Sequence, residues 1–108
     1  MGEAEILCAA KNTDFKGFAM NSDYDRIPDS AKQKLQKICA EFVEAVGGVF
    51  IIRFEEDGTP QFVTEQVIDE IGAEERIRKM QKEEARLWNE LKVYYRIFFL
   101  HESPEDFV

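Results

Sequence analysis

LKVYYRIFFL, residues 91–100, holds eight apolar or aromatic residues in ten, with Lys92 and Arg96 as its only charges. A membrane anchor, a final strand, a core helix and a surface for a second subunit each make a different protein of it. A helix rises about 1.5 Å per residue and needs roughly 20 apolar residues to cross a bilayer, so a stretch half that long with two cations is no anchor. Its aromatic and β-branched content favours a strand. Yet no Gly or Pro turns the chain between Trp88 and Phe98, and Met80, Leu87, Leu91, Tyr94 and Phe98 recur at the spacing of one helix face. The spacing predicts a long charged helix that starts between Asp69 and Ala73 and ends near residue 100, with Phe98 on its buried stripe.

The same helix presents a second apolar stripe. At about 100° per residue, Val93, Ile97 and Leu100 fall nearly opposite the buried arc, where a two-layer monomer would have only water. They are the candidate homodimer interface. Trp88, Tyr94 and Tyr95 lie on or beside the inner arc and are candidate walls of a small-molecule pocket between sheet and helices; core packing explains the same rings equally well. One helix over 70–100 would be roughly 45 Å long, so one end is expected to overhang its sheet.

Upstream, VFIIRF (49–54) switches to period two, with Phe50, Ile52 and Phe54 on one face and Val49, Ile51 and Arg53 on the other. Asp57-Gly58 marks a hairpin and QFVTEQV (61–67) its return strand, with Phe54 facing Phe62 across a three-residue loop or Gln61 across a two-residue one. Before that strand, Ala31, Leu35, Ile38, Phe42 and Ala45 repeat at three and four along a helix, with Ser30 and Gln33 spaced as a capping box and Gly47-Gly48 as the stop. AEILCAA and GFAMN flank the turn KNTD as a first hairpin in which Ile6, Cys8 and Ala10 share a face. Hairpin, helix, hairpin, helix closes as an α+β domain over residues 1–100: a four-stranded antiparallel sheet with two helices packed on one face. HESPEDFV, 101–108, reads as a short acidic tail.

The net charge of −8, from 22 acids against 14 bases, disfavours phosphate backbones and anionic membranes, and the bases are interspersed with acids along both helices. Neither nucleic acid nor membrane is expected as a partner. Cys8 and Cys39 lack the close spacing of a zinc or redox pair and lie in apolar contexts, which predicts reduced, buried thiols. MGEAEILCAA carries Glu3 and Glu5 where a signal peptide wants positive charge. Both readings point to the cytoplasm.

No motif assigns chemistry. His101 beside Glu102 suits a helix C-terminus better than a catalytic base. Asn21, Asp23 and Asp25 match the first ligands of a calcium loop, but Arg26 replaces its glycine and Lys32 its closing glutamate. VGGVF runs from helix to strand, the reverse of a phosphate cradle. Glu55, Glu56 and Asp57 sit at a hairpin tip where water screens them. No catalytic residue, metal ligand or cofactor is assigned, and the sequence leans away from an enzyme.

IPDSAKQKLQKICAEFVEAVGGVFIIRFEEDG (27–58), DEIG (69–72) and LKVYYRIFFL resemble an uncharacterised family of short bacterial proteins, a domain of unknown function. The resemblance implies a small intracellular protein and carries no activity, cofactor or site. The expectation is therefore a non-enzymatic cytosolic interaction module, homodimeric through Val93, Ile97 and Leu100. The alternative is a small-molecule binder or unrecognised enzyme using the aromatic pocket. An acidic mimic of nucleic acid would need acids gathered on one face, which the interspersed bases disfavour.

Overall fold

The alternation of GVFIIRF forms β3 (Gly48–Phe54), an interior strand of a four-stranded antiparallel sheet ordered β2-β1-β3-β4. The computed structural model describes residues 6–100. Among them run β1 (Ile6–Asn12), β2 (Lys16–Met20), a 3₁₀ turn (Ser22–Tyr24), α1 (Asp29–Val46), β3, β4 (Pro60–Glu65), α2 (Glu70–Glu83) and α3 (Ala85–Phe98). The α+β class, the antiparallel sheet and the helices packed against it are as expected; the helices are three rather than two. The acidic tail and His101 lie outside the described residues.

Phe50, Ile52 and Phe54 are buried to 1% exposure or less on one face of the sheet, beside Cys8 and Ala10 of β1. Helices α1 and α3 cover this face. The Phe42 ring stacks on Phe50 at 4.1 Å, Trp88 meets Phe62 edge-on at 4.9 Å, and Tyr95 stacks on Phe54 at 4.7 Å. The opposite face carries a directly paired row of Ala19, Ala9, Ile51 and Val63, of which all but exposed Ala19 are half-buried.

Period two fails at one point in β1. Ile6 pairs with Arg53 and Cys8 with Ile52, so two steps of β1 oppose one of β3, and the extra residue is Leu7. This bulge turns Leu7 fully into the core and leaves Ile6 half-buried. The second hairpin also departs from expectation. Phe54 pairs with Pro60 and Ile52 with Phe62, because residues 55–59 all belong to the connection. Within it the Glu55 backbone N–H donates to the Thr59 carbonyl at 2.9 Å and Gly58 turns with φ 88°.

Helix α1 begins at Asp29, with Pro28 in the cap position and no side-chain cap bond, so Ser30 and Gln33 do not form the expected box. Its buried face is Leu35, Cys39, Phe42, Val43 and Val46; Ala45 is exposed. Gly47 and Gly48 end it at φ 74° and 75°. A Cβ on Gly48 would collide with the Glu65 carbonyl oxygen, so the chain needs glycine there for close approach as well as for its dihedral.

The largest correction concerns the long helix, which breaks at Glu84 (φ −111°, ψ 27°) into α2 and α3, each 14 residues and about 21 Å long. The Trp88 indole N–H donates to the Met80 carbonyl across the break at 3.0 Å. Lys34 of α1 binds the Glu84 carboxylate at 2.8 Å. Beyond the break, Leu87, Trp88 and Leu91 are buried, and Tyr95 and Phe99 pack against the core, while Phe98 is 42% exposed instead of lying on the buried stripe.

Candidate functional site

One groove, with a volume of about 440 Å³, runs between α1 and α2. Lys34, Lys37 and Glu41 on α1 face Arg76, Lys79 and Glu83 on α2 across an apolar floor of Ile38, Phe42 and Met80. Its charges largely answer one another: Lys34 pairs with Glu84 at 2.8 Å and Lys79 reaches Glu83 at 3.9 Å. Four cations and three carboxylates leave little net field to hold a charged ligand. Sequence reasoning did not find this groove, since residues 34–42 and 76–84 face each other only through the helix packing.

A second groove, about 330 Å³, lies between the start of α1 and α3. It brings Val93 of the candidate dimer stripe and Tyr94 of the candidate pocket together, against Ile27, Pro28 and Ala31. Burial raises the Tyr94 hydroxyl above its ordinary pKa, against the opposing charge of Arg26. Trp88 and Tyr95 do not line this groove; Trp88 packs on Phe62, and Tyr95 stacks between Phe54 and Phe99. The aromatic rings are thus divided between core and groove.

The other two members of the dimer stripe lie further along the chain. Ile97 is half-buried and Leu100 is 40% exposed. Beside them the exposed Phe98 ring sits under the Arg26 guanidinium at 5.7 Å. The far end of the sheet carries three more exposed apolar side chains, Phe15 in the β1–β2 turn and Ile68 and Ile71 around the start of α2.

The calcium-like loop has a structural task. Asn21 accepts the Asp23 backbone N–H with its side-chain oxygen and donates to the Ile6 carbonyl at 2.8 Å, tying the loop to β1. Among the described residues no three His, Cys, Asp or Glu side chains gather as a metal site. At the tip of the second hairpin, Asp57 accepts the Thr59 backbone N–H at 2.9 Å. Hydrogen bonds from the Thr59 side chain and backbone hold its carboxyl below the usual aspartate range.

Cys8 and Cys39, unrelated by spacing, meet in the core with their sulfurs 3.9 Å apart. The neighbouring Cys39 side chain and burial push the Cys8 thiol far above its ordinary pKa. Both are free thiols at 1% exposure or less. A thiol held protonated and dry is no nucleophile in the folded chain.

No described helix is long and apolar enough to cross a membrane. No curated protein and no solved structure matches the chain. A family model does match, over residues 4–103, and so takes in the whole described fold, with both grooves and the cysteine pair. The chain belongs to the family of unknown function DUF6145.

Proposed function

We propose that the protein is a non-enzymatic interaction module of the cytoplasm that works as a homodimer, two copies meeting through the outer face of α3. The observation that carries this reading is the 40% exposure of Leu100 on the side of half-buried Val93 and Ile97, at the same end of α3 as the exposed Phe98 ring. An apolar cluster at the end of a helix whose other side is in the core is well suited to a two-fold self-contact. The buried free thiols support a reducing compartment. The acidic balance supports a partner other than nucleic acid.

Light scattering over a concentration series tests the dimer on wild type, Ile97→Glu and Ile51→Lys. Dimeric wild type with a folded, monomeric Ile97→Glu supports the α3 contact. A wild type that is monomeric throughout removes the dimer, and dissociation by Ile51→Lys alone moves the contact to the open sheet face.

The two grooves keep a second reading in play, a binder of small molecules. The α1–α3 groove favours it, because Tyr94, Ser30 and Glu90 offer polar groups on mainly apolar walls. A thermal-shift screen of metabolites and nucleotides without a stabilising hit would count against this reading.

A further inference from the structure

Cys8 projects from β1 into the core, on the face shared with Phe50 and Ile52, and Cys39 meets it from the buried face of α1. Their sulfurs are 3.9 Å apart across 31 residues of chain. A disulfide brings two sulfurs to about 2.0 Å and requires the two Cβ atoms to face one another. The remaining gap is within the arc that a sulfur sweeps on rotating about its Cα–Cβ bond between staggered positions. We propose that Cys8 and Cys39 form a latent disulfide, a site of reversible oxidation by small-molecule disulfides that clamps β1 to α1.

The reaction is thiol–disulfide exchange. One cysteine thiolate attacks the small disulfide, whose S–S bond breaks as a mixed disulfide forms and a small thiolate leaves. The second cysteine thiolate then attacks the protein sulfur of that mixed disulfide, forming the Cys8–Cys39 bond and expelling a second small thiolate. The two protons lost by the cysteines end on the two released thiols. The protein dithiol is oxidised by two electrons and the reagent is reduced by two.

Burial makes the site conditional. With both thiols dry and Cys8 held protonated, neither the thiolate nor the reagent is present at the sulfurs in the closed fold. Exchange therefore occurs while the core is open, during folding or a local separation of α1 from β1. Once formed, the bond closes a loop that holds the second strand, the 3₁₀ turn and the first half of α1, and so restricts the unfolded chain.

The experiment refolds the reduced chain from urea with oxidised glutathione and, in parallel, gives the same reagent to the folded chain. The refolded monomer is expected to be lighter by two hydrogens, to offer no thiol to alkylation, and to melt on the order of 10 °C higher than the reduced chain. Dithiothreitol should reverse all three changes. The folded chain is expected to react at least about tenfold more slowly, as an opening-limited process. Cys39→Ser refolded in the same way should carry one glutathione at Cys8 with no rise in melting temperature. A refolded wild type that keeps both thiols, carries glutathione in place of the internal bond, or is bridged but melts no higher would overturn the proposal. Equal rates for folded and refolding chains would overturn its conditional character.

Discussion

Glu84 stands at the break between α2 and α3, and its carboxylate lies 2.8 Å from the Lys34 ammonium on α1. The ion pair looks like the clasp of the break, but Lys34 is 52% exposed and water screens it. The indole bond from Trp88 to the Met80 carbonyl is drier. Lys34→Met is expected to cost less than about 1 kcal/mol. Trp88→Phe, which loses the donor and part of the ring, should cost about 2–3 kcal/mol. Urea unfolding followed by circular dichroism gives both numbers, since Trp88 is the only tryptophan fluorophore; a larger loss for Lys34→Met would reverse the assignment.

Gly48→Ala is expected to destabilise the chain by more than about 2 kcal/mol or prevent folding, because the site combines positive φ with contact against the Glu65 carbonyl. Gly17→Ala on β2 meets only the end of the Lys11 side chain at 4.0 Å. It should change stability by under about 1 kcal/mol. Thermal melts of the two variants side by side read the contrast, and similar melting temperatures would contradict it.

The bulge in β1 makes Leu7 a core residue. Leu7→Ala should cost about 2–5 kcal/mol, and Ile6→Ala distinctly less. If Ile6→Ala proves the more damaging in chemical denaturation, β1 keeps a regular alternation and has no bulge.

Asp57 titrates below the ordinary aspartate value of 3.8, first through the Thr59 side chain and then through the Thr59 backbone N–H. Its folded pKa is depressed, so its contribution to stability is present above the unfolded value and is lost as pH falls through the folded one. Carbon-detected NMR of the side-chain carboxyl should place the midpoint under 3.8, and Thr59→Val should raise it. A midpoint unmoved by that substitution would remove the hydroxyl from the explanation.

The sheet was legible because Phe50, Ile52 and Phe54 alternate without interruption and Gly47-Gly48 stops the helix before them. The break at Glu84 was not, because α2 and α3 carry no Gly or Pro between Ala73 and Phe98; its contacts, the Trp88 indole bond to the Met80 carbonyl and the ion pair with Lys34 fifty residues upstream, leave no mark in the local pattern. Leu7 was missed for the same reason. A bulge is a property of two paired strands, while alternation is read along one. Of the candidate residues, Val93 and Tyr94 do share a groove and Leu100 is exposed, but Trp88 and Tyr95 went to the core. The cysteine contact depends on docking α1 over β1, which no local pattern encodes.

The place of β1 between β2 and β3 sets an order of events during synthesis. Each hairpin and α1 can begin from neighbouring residues, but the sheet is whole only when residues 6–12 meet residues 48–54. That meeting closes a loop containing all of α1, and long-range pairing of this kind is the slow part of folding. At roughly 5–20 residues per second, β1 emerges from the ribosome several seconds before its second neighbour exists. Through that interval one edge of the first hairpin stays open, with Leu7, Cys8 and Ala10 still wet.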